Sequence, residues 1–367
     1  MSEMAESHVV PFPRLPDRET SQTIGLLRWV LMVLVVVIHT NLVPDSGAAA
    51  ASYASVYHAA EHVVWLANPL FFLISGYLFM ASSEGFSMRL YGEKLRRRLR
   101  TWLLPYLLWN ALFLCFYMVV SLRFSALSGV VPSVHEIRFT DVLESFVCIR
   151  GEGINSGPID GPLWFLRDLM VLALLLPLCY GIVRMHRFSL IVPLLLGMYP
   201  YQLGYEQEMA SFMIGCYLNL WLPEMADWLK RPVWVPLCGY AAAVALLSFP
   251  WQLPALLSEP LLFVRNLFGM LLIARLCMRV VVRHRSFDWR AFARPVFFVF
   301  ALHSLFARLL TKFAAGWLVA HNAGCMAFVS VQIVNVACCI GLSLAVYAFL
   351  KRLLPAFCGL LGGFAPK

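Results

Sequence analysis

The stretch LLRWVLMVLVVVIHT, residues 26–40, holds two groups able to do chemistry, Arg28 and His39, in an otherwise apolar run. An imidazole has an ordinary pKa of about 6.5 and can take a proton from a hydroxyl near neutral pH. A guanidinium stays charged and offers a planar fork of N–H donors to carboxylate or phosphate. Arg28 and His39 are separated by a number of residues close to three full helical turns, so a helix shows both on one face, about 16 Å apart along its axis. Charged groups inside a membrane span are costly and line cavities or find partners. An isolated pair has a blander reading, an arginine snorkelling to headgroups and a histidine closing the span at the interface.

Further polar groups favour a site. Glu61 and His62 stand at the start of EHVVWLANPLFFLISGYLF, whose later half carries Ser75 and Gly76, a small pair that permits close backbone approach. GPLWFLRDLMVL places Trp164, Arg167 and Asp168 near the start of another apolar segment. Asp168 there either orients His39 or neutralises Arg167. YGEKLRRRLRTWLLPY gathers Lys94, Arg96, Arg97, Arg98 and Arg100. Such a patch anchors topology on anionic lipid, and its arginine forks also suit the phosphates of a nucleotide-containing donor such as coenzyme A.

The elements that must position these groups are membrane helices. The chain of 367 residues is 61% hydrophobic and 13% charged, against about a quarter charged in soluble domains. A helix crossing about 30 Å of hydrocarbon needs ~20 residues. Windows of that size fall near 24–43, 60–82, 102–124, 161–183, 188–205, 208–227, 233–250, 260–280, 295–316 and 323–350. The expected fold is therefore all-α, a polytopic membrane protein of about ten transmembrane helices. Lys and Arg collect in the segments that are inside when the N-terminus is inside, and the outside loops hold only Arg123, Arg138 and Arg150. Both termini are expected in the cytoplasm. The net charge of +9 thus marks the inner face of a membrane and not a nucleic-acid partner. The expected organisation is a cytoplasmic tail over 1–22, a membrane domain over 23–350 with an extracytoplasmic loop at 125–160 that could cover the outer mouth of a site, and a cytoplasmic tail over 351–367. The first twenty-odd residues have no signal-peptide pattern, so the first apolar segment is expected to stay as a span. The ten cysteines form no C-x-x-C pair, and neither a metal site nor a disulfide is expected.

These residues resemble the membrane-bound acyltransferase-3 family, bacterial enzymes that O-acylate cell-surface and exported sugars. The matching features are Arg28 and His39 at their spacing, FFLISGYL (71–78), Arg97 and Arg100 followed by Pro105, GPLWFLRDL (161–169) and FFVFALHSLF (297–306), in which His303 takes the place of a frequent histidine. Together they cover roughly residues 22 to 350. The resemblance implies an acyl-CoA donor, usually acetyl-CoA, used from the cytoplasmic side, and a glycan or lipid-linked saccharide as acceptor, in the bacterial inner membrane. It makes His39 the catalytic histidine and Arg28 its companion, and assigns Arg97, Arg100 and neighbouring Arg98 to the donor. Trp164, Arg167, Asp168, Ser75, Gly76 and His303 are supporting candidates. Many family members carry a Trp-Ser pair and a glutamate where this chain has Trp164, Arg167 and Asp168.

On that footing His39 deprotonates the acceptor hydroxyl, which attacks the thioester directly while Arg28 steadies the donor. An acyl-enzyme on histidine or serine is the variant route, with Ser75 poorly placed for it. The competing reading is a transporter or flippase for a saccharide or amino acid, with Arg28 and His39 lining its pathway. Transporters often show repeated halves with broken helices, a pairing not evident in this sequence.

Overall fold

Apolar helix formers between short polar breaks leave the backbone one economical solution in lipid, the α-helix, which satisfies its own N–H and C=O groups. In a computed structural model of the protein, residues 12–42, 48–82, 84–123, 138–147, 157–199, 206–222, 224–249 and 253–362 are described, and all their regular structure is helical. In chain order the helices are α1 (Arg18–His39), α2 (Ala48–Val64), α3 (Ala67–Met80), α4 (Met88–Arg123), α5 (Phe139–Val147), α6 (Trp164–Leu174), α7 (Leu176–Arg184), α8 (Ile191–Met198), α9 (Glu206–Trp221), α10 (Met225–Lys230), α11 (Trp234–Ser248), α12 (Ala255–Arg283), α13 (Trp289–Phe292), α14 (Val296–Ala320), α15 (Cys325–Leu353) and α16 (Pro355–Leu360).

Among the described residues six stretches are long and apolar enough to cross a membrane: Arg18–His39, Ser52–Met80, Met88–Leu122, Ala255–Arg283, Trp289–Ala320 and Cys325–Leu353. The bent pair α6 and α7 makes a seventh if it counts as one span. Pro177 explains the break, because it has no N–H to give the carbonyl four residues earlier. Tyr91 Oη donates instead to Ala173 O at 3.2 Å and Leu174 O at 3.1 Å. The three remaining sequence windows, 188–205, 208–227 and 233–250, contain helices of 8, 16 and 15 residues. At 1.5 Å per residue none of them spans the hydrocarbon alone. Residues 200–205 and 250–252, which flank them, lie outside the described residues, as does most of the 125–160 loop.

The chain divides into two compact units. The first comprises Met1–Thr23, Pro69–Leu95 and Leu172–His284. Its N-terminal end is tied down by Asn219, which accepts from Arg14 N and donates to Arg14 O. Asp17 caps α1, accepting from Thr20 N at 2.9 Å. Here α3 and α9 cross at their glycines: a Cβ on Gly76 would strike the Phe212 backbone, and one on Gly215 the Leu73 carbonyl. Within the same unit Arg265 donates to Asn266, which donates to Gln207, so α12 and α9 share a buried polar contact.

The second unit comprises Ile24–Asn68, Arg96–Val171 and Arg285–Lys367. In it α14 packs along α15, and α2 lies against α15. An apolar cluster of Leu42, Tyr53, Tyr57, Leu318 and Phe328 seals the end of this bundle just past α1. The 351–367 segment is more than a tail, since α16 follows α15 and Leu361 O accepts from Trp109 Nε1 at 2.9 Å. The basic run Arg96–Arg100 is likewise helical, continuous with the apolar part of α4 and not a loop before it.

Candidate active site

Helix α1 is unbroken from Arg18 to His39, so Arg28 and His39 stand on one stripe at opposite depths. Both belong to the second unit, and so do Arg97, Arg98, Arg100, Trp164, Arg167, Asp168 and His303. Ser75 and Gly76 belong to the first. Ser75 Oγ donates to Phe71 O at 2.8 Å, and Gly76 serves the helix crossing already described.

At the C-terminal end of α1 the His39 ring is exposed and meets the His303 ring at 5.1 Å between centroids. His303 is fully buried on α14. Its Nδ1 lies 2.6 Å from Phe300 O, and a carbonyl only accepts, so Nδ1 carries the proton of the neutral ring. Its Nε2 has no hydrogen-bond partner among the described residues. An open imidazole against a buried one with a spare lone pair can hold one tautomer and pass a proton. The next residue, Thr40, accepts from Gln332 Nε2 at 2.9 Å, and Tyr53 Oη donates to Gln332 Oε1 at 3.2 Å. This buried relay fixes the end of α1 to α15 and α2.

Two further groups at this end escaped the sequence reading. Asp160 is fully buried just before α6; its Oδ1 accepts from Ser304 Oγ at 2.9 Å and its N–H donates to Asn110 Oδ1 at 3.0 Å. Asp160 Oδ2 has no partner among the described residues. Burial pushes this carboxyl well above the ordinary carboxylate range, opposed by the Ser304 hydrogen bond and the charge of Arg308. Arg308, one turn beyond Ser304, lies within electrostatic reach of both Asp160 and His39. Only the charge of Arg308 within an apolar helix could have pointed to it; Asp160 sits in a polar Gly/Pro stretch that carries no such mark.

Halfway along α1, about three turns before His39, four guanidinium groups gather. Arg28 lies within electrostatic reach of Arg290 of α13, and Arg98 within reach of Arg28 and Arg97. Arg98 also stands 5.2 Å over the Trp102 ring. Arg97 and Arg100 are exposed. Among the described residues neither Arg28 nor Arg97 pairs with a carboxylate. A gathering of cations with two members unpaired by carboxylate among the described residues, Arg28 and Arg97, attracts an anion. Arg290, which the sequence reading missed, is delivered by a close contact. Trp29 Nε1 donates to Phe292 O at 2.8 Å and the two rings stack, while an added Cβ on Gly25 would lie 2.7 Å from Trp289 O. Gly25→Val is therefore expected to lower stability by about 1–3 kcal/mol, as overpacking does. Thermal unfolding in detergent checks this; a wild-type midpoint contradicts the contact.

Arg167 Nε donates to Asp168 Oδ1 at 2.6 Å, and both side chains are largely buried, so the two neutralise each other. Trp164 meets Phe165 edge to face, and Phe165 meets Phe300, which neighbours His303. The Glu61 carboxylate pairs with His58 at 2.7 Å.

Residues 22–347 match the family described as an acyltransferase domain. Over 213 residues the chain is 27% identical to the succinoglycan biosynthesis protein ExoH of Rhizobium meliloti (strain 1021), a stretch covering 56% of this chain and 55% of that protein. The chain thus spans about half the length of the curated relative it matches. No solved structure matches.

Proposed function

The chain belongs to the acyltransferase-domain family, and from that premise we propose that it is a multi-pass O-acyltransferase of the bacterial inner membrane. It moves an acyl group, acetyl by preference, from cytoplasmic acyl-CoA to a hydroxyl of a cell-surface or exported glycan. The acceptor class rests on the succinoglycan biosynthesis relative. In that reading both termini lie in the cytoplasm and the chain crosses the membrane about ten times.

One observation carries the reading: a single helix sets Arg28 in a gathering of arginines and, about 16 Å away, sets His39 against His303. The arginine end suits the phosphates of coenzyme A, with Arg97, Arg98 and Arg100 as their ligands and Arg28 and Arg290 toward the acyl arm. The pantetheine arm then covers the distance along α1. His39, open at the far end, takes the proton of the acceptor hydroxyl as its oxygen attacks the thioester carbon. His303 Nε2, without a partner among the described residues, offers a lone pair to the other ring nitrogen of His39 when that ring takes up the proton. The tetrahedral intermediate collapses with cleavage of the C–S bond, and the coenzyme A thiolate takes the proton back from His39.

The test is to supply acetyl-CoA carrying a labelled acetyl group to membranes that hold the protein, and to seek the label in saccharide. Label in saccharide that depends on the protein supports transfer. Saccharide movement across the membrane with no label incorporated supports a transporter instead.

A further inference from the structure

The sequence names a base and a donor patch but nothing to hold the negative charge that develops on the thioester oxygen. We propose that Arg308 is the oxyanion-stabilising residue, its planar fork of N–H groups facing the carbonyl oxygen of the acyl group when His39 is loaded with acceptor. The inference rests on the acyl-transfer reading above and deepens it.

Three features place the guanidinium. Helix α14 carries His303 against the His39 ring; Arg308, five residues later, lies about 140° round the helix from His303 on the face of Ser304, and its long side chain stays within electrostatic reach of His39. Ser304, between them and one turn before Arg308, is locked to buried Asp160, which fixes the rotation of α14 about its axis. The Arg308 guanidinium stands 5.7 Å over the Tyr117 ring, whose hydroxyl is itself directed at Ile159 O. The side chain thus rests on an aromatic face and makes no ion pair among the described residues.

The competing role, a simple counter-charge for Asp160, fits less well. The Asp160 oxygen with a partner accepts from a hydroxyl, and among the described residues Arg308 makes no ion pair. The burial of Asp160 also favours its neutral form. A half-buried cation beside His39, making no ion pair among the described residues, attracts a developing anion. In the transfer step the acceptor oxygen bonds to the carbonyl carbon and the carbonyl electron pair moves onto oxygen opposite Arg308. It returns as the C–S bond breaks and the thiolate leaves, so Arg308 exchanges no proton.

The experiment measures labelled acetyl transfer from acetyl-CoA to saccharide in membranes carrying wild type, Arg308→Gln or Arg308→Lys. Turnover is expected to fall about 10²–10³-fold in the glutamine variant, the range for loss of an oxyanion donor, with half-saturating acetyl-CoA unchanged. The lysine variant, with a charge but no fork, is expected in between, and added guanidinium ion is expected to restore part of the glutamine variant's rate. Turnover within threefold of wild type in Arg308→Gln overturns the assignment while leaving the acyl-transfer reading intact. So does a loss confined to substrate half-saturation. If the glutamine variant does not accumulate, wild-type turnover in the lysine variant overturns it instead. A wild-type protein that incorporates no label removes the acyl-transfer reading, and this inference with it.

Discussion

His39→Ala is expected to lower acyl transfer by about 10²–10⁴-fold, the usual worth of a positioned general base. Of the two histidines in contact, only His39 is open, and the buried ring of His303 already spends Nδ1 on Phe300 O. An acceptor hydroxyl can therefore reach His39 and not its neighbour. Since His39 ends α1 on the exposed side and Thr40 makes the bonds to α15, truncating the imidazole leaves the anchoring relay intact. The variant should insert and unfold like wild type. Transfer at a wild-type rate by an inserted variant would remove His39 as the base.

Replacing Arg97 and Arg100 together with glutamine is expected to raise half-saturating acetyl-CoA by about 10- to 100-fold. A hydrogen bond to a charged group contributes about 1.5–3 kcal/mol, and solvent screening of two exposed side chains trims that. Turnover at saturating donor should change little, because these groups hold phosphates and not the reacting atoms. Rising salt should weaken donor binding in wild type and do so less in the variant. An unchanged dependence on acetyl-CoA concentration would reject the assignment. Arg98 behaves differently: it is half-buried, stacked on Trp102 and within reach of Arg28, so its loss would also disturb packing.

Much of this arrangement is legible in residue order because helices convert spacing into direction. Arg28 and His39 announce a common face once an apolar helix is granted, and the basic run before the apolar part of α4 announces an anion site. Partners across helices carry no such mark. Arg308 and Gln332 are polar residues in apolar helices, Asp160 and Arg290 sit in polar connecting segments, and only tertiary folding brings all four to α1. Ser75 and Gly76 show the converse. The small pair reads as permitting close backbone approach, and the Ser75 hydroxyl bonds the preceding turn of its own helix while Gly76 admits the Phe212 backbone. Arg167 and Asp168 could be read as an orienting pair or a neutralised one, and a 2.6 Å contact between them gives the second.

Three of the ten expected spans hold, among the described residues, helices too short to cross the hydrocarbon alone. The windows at 188–205 and 233–250 are greasy enough, but α8 ends at Met198, just before Tyr199 and Pro200, and α11 ends at Ser248, just before Phe249 and Pro250. The residue before a proline avoids the α region, so each helix stops early. Hydropathy reports which solvent a segment prefers. It does not report how far the segment reaches.

Sealed membrane vesicles of defined orientation test the central claim, that one helix serves a donor on the cytoplasmic side and an acceptor on the other. In inside-out vesicles, labelled acetyl-CoA added outside meets the cytoplasmic face, and label is expected in enclosed saccharide. In right-side-out vesicles the same addition should label nothing until the membrane is permeabilised. Equal labelling in both orientations before permeabilisation would contradict the account.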